Sequence, residues 1–456
     1  MIYFLGIGGI GMSALARWFK MNHLDVSGYD KTQSTLTDAL ISEGIPVNFT
    51  DDEASIPEQV KENSQNCLVV RTPAVPYKNN QLRYFFDHGY EITKRSEVLG
   101  EVTRELYTIA TAGTHGKTST SSLISHLFME AGLSFVSFLG GIPANYQTNL
   151  VVNGNVDDIR LSVVEADEYD RSFHRLSPDH AIITSADPDH LDIYGDFLSM
   201  KAAFREFINL LPTNGDLLIK NELTDELIPS DRPDIKISRY GLDSGDITAS
   251  NLSLTDRDSI FDYSAPGIRL EKLKLRFPGY HNVENAIAAI HSALSQGITE
   301  DQLRKGMDSY KGIKRRFEYH IDKADLIYID DYAHHPEEIK ALLHSVRDMY
   351  PDKSITAIFQ PHLFTRTQDF SHEFAESLDL ADQVILLDIY PAREDPIEGV
   401  NSELIYNALN CKERLLLDKG QLLESMGQIN NDIVVTIGAG DIDRLVEPLK
   451  EMLEEK

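Results

Sequence analysis

Cysteine is nearly absent from this chain of 456 residues: Cys67 and Cys411 are the only two, and they are far apart. No disulfide framework and no cysteine-rich metal site can be built from them. Positive charge is also short. Lys plus Arg total 43 against 72 Asp plus Glu, a net charge of −29. Such a surface repels phosphate backbones and anionic lipid heads, which argues against nucleic acid and polybasic membrane docking. No apolar run approaches the roughly 18 residues needed to span a bilayer. The start, MIYFLGIGGIGMSALARW, is apolar but punctuated by glycine and lacks the basic flank of a signal peptide, so it reads as folded protein. With so little cysteine, a cytoplasmic location is expected. No short-period repeat or low-complexity tract is visible. What remains is ordinary globular composition, 42% hydrophobic and 25% charged. At roughly 150 residues per domain the length suggests about three domains.

Short apolar runs alternate with amphipathic stretches, the pattern of an α/β chain with parallel sheets covered by helices. Three strand-to-helix turns stand out. The strand 2–5 enters Gly6-Ile7-Gly8-Gly9-Ile10-Gly11 and a helix over 12–21, and a second strand, 24–29, ends at Asp30. A strand over 106–110 enters Thr111-Ala112-Gly113-Thr114-His115-Gly116-Lys117-Thr118, followed by a helix over 119–131. Late in the chain a strand over 326–330 turns through Asp331-Tyr332-Ala333-His334-His335-Pro336 into a helix over 337–349. Proline suits that first helical turn, where no N–H partner is needed. Further strands are expected at 354–359, 383–388 and 433–437. Boundaries fall near 100–104 and 312–315, giving domains over 1–101, 102–313 and 314–456. The stretch 243–270 alternates polar and apolar residues and reads as a small antiparallel sheet within the middle domain.

The central turn carries the strongest chemical signal. Backbone N–H groups of a tight turn opening a helix converge on one point, and the helix dipole adds positive potential there. Gly113, Thr114, His115, Gly116 and Ser119 belong to this cradle. Lys117 would reach terminal phosphates, and the Thr118 hydroxyl could ligate Mg²⁺. The general pattern has Gly where Thr111 stands, so the motif is a variant. Next, the apolar run 161–164 delivers Glu165-Ala166-Asp167-Glu168 to a strand end, the edge at which open α/β sheets place ligands. Glu165 is the candidate metal ligand; the alternative is a solvated acidic loop. A further strand, 181–186, leads to Asp187-Pro188-Asp189-His190-Leu191-Asp192, where His190 could bind a second divalent ion or act as a structural hydrogen-bonder. Two such edges beside a phosphate cradle suit magnesium-assisted phosphoryl transfer.

The N-terminal Gly6-x-Gly8-x-x-Gly11 with Asp30 matches a dinucleotide fingerprint. The same geometry binds any pyrophosphate, including that of a UDP-sugar. Asn282, in Gly279-Tyr280-His281-Asn282, either caps a helix or reads a nucleobase. Lys311, Lys314, Arg315 and Arg316 form a basic cluster that suggests a phosphate clamp; the alternative is a solvated charge run. Arg366, after Gln360-Pro361-His362, stands where it could meet a small carboxylate.

Taken in order, GIGGIGMSALA, AGTHGKTST, EADEYDRSF, DPDHLDIYG, GYHNVENAIAA, KRRFE, DDYAHHPEE and QPHLFTRT resemble the Mur ligases, the ATP-dependent amide-forming enzymes of bacterial cell-wall synthesis. The resemblance covers nearly the whole chain. It implies three domains: a Rossmann-like UDP-binding domain, a central P-loop ATPase domain and a C-terminal Rossmann-like domain. Within the family it points to the branch that joins L-alanine to UDP-N-acetylmuramate with ATP, through an acyl phosphate and a tetrahedral intermediate. Carried over by motif, Lys117 contacts the β/γ-phosphates, Thr118 and Glu165 hold one Mg²⁺, and His190 a second metal. Asn282 meets the adenine end, while Arg316 and Asp331 reach ATP. Gly8, Gly9, Gly11, Asp30 and Thr72 serve the UDP-sugar, and His334 and Arg366 the amino acid.

Two departures stand out. Several relatives carry a carbamylated lysine past the Asp-His-x-Asp motif; here Phe204 lies near that spacing and Lys201 is offset by about one helical turn. Many members also have arginine where this chain has Leu363. Three other readings are compatible with parts of the pattern: a ligase attaching a recycled peptide to the same sugar nucleotide, an NAD-dependent oxidoreductase argued from the first glycine turn, and a non-catalytic nucleotide sensor.

Overall fold

The computed structural model describes residues 1–188, 191–255, 258–277, 279–392, 394–425 and 432–455. Among these, three sheets follow one another along the chain. The first has order β3-β2-β1-β4-β5 and is parallel throughout, with β1 (Ile2–Leu5), β2 (Val26–Tyr29), β3 (Val47–Asn48), β4 (Leu68–Arg71) and β5 (Glu91–Lys94). β1 is buried along its whole length, as an apolar tetrapeptide in the middle of a helix-covered sheet must be.

The second sheet has ten strands in the order β15-β14-β13-β12-β11-β10-β6-β9-β7-β8. Its parallel centre consists of β6 (Tyr107–Ala112), β7 (Phe135–Phe138), β9 (Leu161–Ala166), β10 (His180–Ile183), β11 (Asp216–Lys220) and β12 (Lys236–Gly241), with β8 (Leu150–Asn153) antiparallel at one edge. The other edge is β13 (Ile247–Leu254), β14 (Ser259–Ala265) and β15 (Ile268–Leu275). The stretch 243–270, expected as a small antiparallel sheet within the middle domain, holds β13, β14 and the start of β15. β14 and β15 form an antiparallel hairpin, and β13 pairs in parallel with β12, so these strands continue the ten-stranded sheet.

These two sheets share one apolar core. Phe4, Leu15 and Trp18 of the first are continuous with Ala110, Phe138 and Phe173 of the second, and Trp18 meets Phe138 edge-on at 5.9 Å. Asn149 adds a polar fastening. Its side chain donates to Ile10 O and to Ser13 Oγ, and accepts from the buried Arg17 at 2.5 Å. The helix Lys117–Ala131 lies against the helix Tyr280–Ser295 in a second core, and begins and stops at left-handed glycines, Gly116 (φ 83°) and Gly132 (φ 75°).

These elements form one compact unit, made chiefly of residues up to Lys311; a second runs from Gly312. The second holds the third sheet, β16-β17-β21-β18-β19-β20: β16 (Glu318–Asp322), β17 (Ile327–Asp331), β18 (Ile355–Phe359), β19 (Gln383–Leu386), β20 (Glu413–Leu416) and β21 (Ile433–Ile437). All its pairs are parallel except β16–β17. Pro336 opens the helix Pro336–Met349, as its missing N–H allows.

Candidate active site

The central glycine turn leaves β6 at Ala112 and enters its helix at Lys117. Thr111, where the general pattern has glycine, is still inside β6, opposite Glu165 on one side and Ile182 on the other. It is fully buried, so a side chain fits there. Glycine is required one turn later. At Gly113 (φ 143°) a Cβ would stand 2.2 Å from Thr184 Oγ1, and at Gly116 one would stand 2.5 Å from Asn285 Oδ1. The end of β10 shapes the loop from the other side. His115 N donates to Ser185 Oγ at 2.7 Å, Thr114 Oγ1 and Ser185 Oγ are 2.9 Å apart, and Asp187 N donates to Thr114 Oγ1 at 3.1 Å.

Lys117 donates to both oxygens of Glu168, at 2.9 and 2.7 Å, and to Gly113 O. Glu168 is almost wholly buried. Burial alone would pull the Lys117 ammonium down, but Glu168, Asp167 and Glu165 outweigh it and hold the ammonium above its ordinary value. Glu165 occupies the next-to-last position of β9 rather than a loop beyond it. Thr118 Oγ1 donates to Glu165 Oε2 at 3.0 Å and Gly140 N to Oε1 at 2.5 Å. Burial pushes the Glu165 carboxyl up, against the pull of Gly140, Lys117 and Thr118. A half-buried carboxylate beside a hydroxyl, next to a phosphate cradle, is a fitting donor set for Mg²⁺, which takes few protein oxygens and completes its shell with phosphate and water. His190 lies outside the described residues, as does Asp189. Ser119 sits in the first turn of the helix. Asn282 sits half-buried in the first turn of the helix Tyr280–Ser295, whereas Asn285 is the residue of that motif that meets the phosphate turn.

The N-terminal turn is built differently. Asp30 Oδ2 accepts from Gly8 N at 2.8 Å, tying the end of β2 to the turn. A Cβ on Gly8 would meet Thr37 at 2.7 Å and Asp30 at 2.9 Å; one on Gly6 would stand 2.5 Å from Thr72, which follows β4. Gly9 precedes the helix Ile10–Met21, and Gly11 lies in its first turn.

In the second unit, Asp331 is the last residue of β17, not the first of the turn. Its Oδ2 accepts from Phe317 N at 2.7 Å and its Oδ1 from Ala333 N at 2.8 Å. Burial raises it to about 6, with Arg316 and the two N–H groups pulling the other way. Arg316 faces Glu338 at 3.6 Å and lies over the Tyr332 ring. Arg315 lies over the same ring and also bonds to the buried Asp330 at 3.1 Å and to Gly438 O. His334 is lowered to about 4, first by burial, with Glu338 opposing and Arg366 adding to it. His334 N donates to Glu338 Oε2 at 2.9 Å. Leu363 is buried with φ 73° and donates its N–H to Tyr390 O.

Glu168, Gly140, Ser185, Asn285 and Arg95 had no individual role assigned from the sequence. Gly140 had a signal: it follows the apolar β7 in Leu139-Gly140-Gly141, one more strand-to-glycine turn. Arg95 had none, because its partners are distant in sequence.

Family models describing a Mur ligase family catalytic domain, a Mur ligase middle domain and a Mur ligase glutamate ligase domain match residues 1–107, 111–293 and 315–441. The chain is 45% identical over 455 residues to the UDP-N-acetylmuramate–L-alanine ligase of Cytophaga hutchinsonii, covering 100% of this chain and 97% of that protein. It is 47% identical to the enzyme of the same name from Porphyromonas gingivalis, covering 99% of each. Among solved structures, the UDP-N-acetylmuramate–alanine ligase of Thermotoga maritima superposes with a TM-score of 0.80 at 28% identity, covering 100% of this chain and 98% of that one. A murein peptide ligase from Psychrobacter arcticus shares the fold, with a TM-score of 0.72 at 23% identity and 98% of each chain covered.

Proposed function

The chain belongs to the Mur ligase family, and from that premise we propose how it acts: it is an ATP-dependent ligase that joins L-alanine to UDP-N-acetylmuramate in peptidoglycan precursor synthesis. One observation carries the chemistry: Lys117, Thr118 and Glu165 stand together at one sheet edge, with Glu168 holding Lys117 charged.

A carboxylate is a poor electrophile because its leaving group would be oxide. Its oxygen attacks the γ-phosphorus of ATP, the bond to ADP breaks, and an acyl phosphate forms. The amine of L-alanine then adds to the acyl carbon. The tetrahedral intermediate expels phosphate and the nitrogen loses a proton, leaving the amide. Both partners in the first step are anionic, so the site must offset their repulsion. Lys117 and the amides of Gly113–Lys117 do so at the phosphates. Thr118 and Glu165 would hold Mg²⁺, which supplies charge neutralisation of the triphosphate, and His190 would meet a second ion. Gly8, Gly9, Gly11, Asp30 and Thr72 hold the UDP-sugar. Asn282, Arg316 and Asp331 serve ATP, and His334 and Arg366 the amino acid. This division of labour assigns residues 1–101 to the sugar nucleotide, 102–313 to ATP and 314–456 to the amino acid and ATP. The reaction belongs in the cytoplasm; among the described residues no helix is long and apolar enough to cross a membrane.

Phosphate release with UDP-N-acetylmuramate and single amino acids tests this. L-alanine should support release and amide formation. Product from a tripeptide but not from L-alanine would favour the recycling ligase. Saturable NADH binding without ATP hydrolysis would favour an oxidoreductase, and ATP binding without turnover a sensor.

A further inference from the structure

Arg95 opens the helix Arg95–Thr103, directly after β5. Its guanidinium rests against Gly11: a Cβ on that glycine would come within 2.9 Å of Arg95 Nη1. The same guanidinium reaches the second sheet, with Nη2 at 3.2 Å from Asp167 Oδ2. Asp167 stands two residues past Glu165, which accepts from Thr118, and next to Glu168, which accepts from Lys117. The small crevice between them is lined by Arg95, Ser96, Glu165 and Asp167 among others. The surrounding seam fixes this geometry. Lys94 pairs with Asp170 at 3.3 Å and Arg175 with Glu97 at 3.4 Å, and Gly100 closes so tightly that a Cβ would stand 2.2 Å from Arg175 O. One cation thus touches both the helix start assigned to a diphosphate and an acid of the edge that carries Glu165 and Glu168.

We propose that Arg95 is a positioning residue, paired with Asp167, that couples occupancy of the N-terminal glycine turn to nucleotide binding at the β9 edge. The proposal rests on the reading of that turn as the sugar-nucleotide site. With the turn free of anion, Arg95 neutralises Asp167. A diphosphate arriving at Gly8–Gly11 competes for the guanidinium and leaves Asp167 with more of its charge unscreened. The β9 edge then favours a divalent cation and its triphosphate more strongly. Linkage requires the effect to be reciprocal.

Isothermal titration with the magnesium complex of a non-hydrolysable ATP analogue, with and without saturating UDP-N-acetylmuramate, measures the coupling. The sugar nucleotide should tighten the analogue by roughly five-fold or more, the lower end of usual coupling factors, and the reverse titration should give the same factor. Arg95→Ala and Asp167→Asn should each bring the ratio close to one, the double variant should lose nothing further, and Arg95→Lys should keep part of it. Melting temperatures confirm that each variant folds. A merely structural pair would shift the affinities for the single ligands and leave their ratio intact. A ratio of one in the wild type, or one that survives both single substitutions, overturns the coupling alone. Failure of UDP-N-acetylmuramate to bind at all overturns the site reading, and the coupling with it.

Discussion

The protein uses a glycine turn at the head of a helix twice, and the two differ in what surrounds the same backbone device. At Gly6–Gly11 the turn is closed by a carboxylate, Asp30, that accepts from Gly8 N, and none of the six positions is charged. At Gly113–Lys117 the turn ends in a lysine held between Gly113 O and Glu168, one strand away from Glu165. Main-chain amides suffice to grip a phosphate that only has to stay in place. A phosphate that must be transferred also needs mobile positive charge and a seat for a cation. A third turn, between β17 and the helix Pro336–Met349, has neither glycine nor lysine; a buried acid, Asp331, precedes it and a half-buried imidazole, His334, lies within it.

The sharpest way to break this contrast is Lys117→Ala. Amide formation should fall roughly 10³-fold or more while UDP-N-acetylmuramate binding is retained, as read by product formation and by titration. Equal losses of both would mean that the two turns are not specialised. Glu165→Gln should cost about 10²-fold and shift activity to higher Mg²⁺, with partial recovery there; a loss indifferent to Mg²⁺ would remove Glu165 as a ligand. Gly8→Ala should raise KM for the sugar nucleotide roughly ten- to a hundred-fold with kcat little changed, because the new Cβ runs into Thr37 and Asp30. A fall in kcat alone would assign that turn to chemistry.

The smallest effects belong to the third turn and are read as stability against pH. Asp331 is raised from 3.8 to about 6, so between those values the native chain holds a proton that the unfolded chain has released. Its contribution to stability is lost as pH rises through that window. His334 is lowered from 6.5 to about 4, so its contribution runs oppositely and is lost as pH falls. The two nearly offset. The melting temperature of Asp331→Asn, relative to wild type, should therefore climb from pH 4 to 6, and that of His334→Gln should decline. Parallel curves for the three proteins would contradict these shifts.

Much of the fold was legible because glycine turns and apolar runs are local signals. β1 and β21 lie where the apolar tetra- and pentapeptides put them, and the helix after Lys117 begins two residues earlier than the serine run suggested. In the segment 243–270 the alternation announced strands but not that they continue the ten-stranded sheet, because alternation reports a half-buried strand without naming the sheet it joins. At the site, Lys117, Thr118 and Glu165 could be found because motif spacing brings them to one edge. Glu168 was visible only as another acid in an acidic chain; its role comes from burial against Lys117, which depends on the packing of β6 beside β9. Arg95 and Asp167 are 72 residues apart, and nothing local announces their pairing.

Trp18 is the sole tryptophan of the chain, and its ring lies against Phe138 across the join of the first two sheets. The molecule therefore carries an intrinsic fluorophore at the seam that Arg95 and Asn149 also cross. Its emission should redden if that seam parts, giving an optical record of the first domain lifting away without any label.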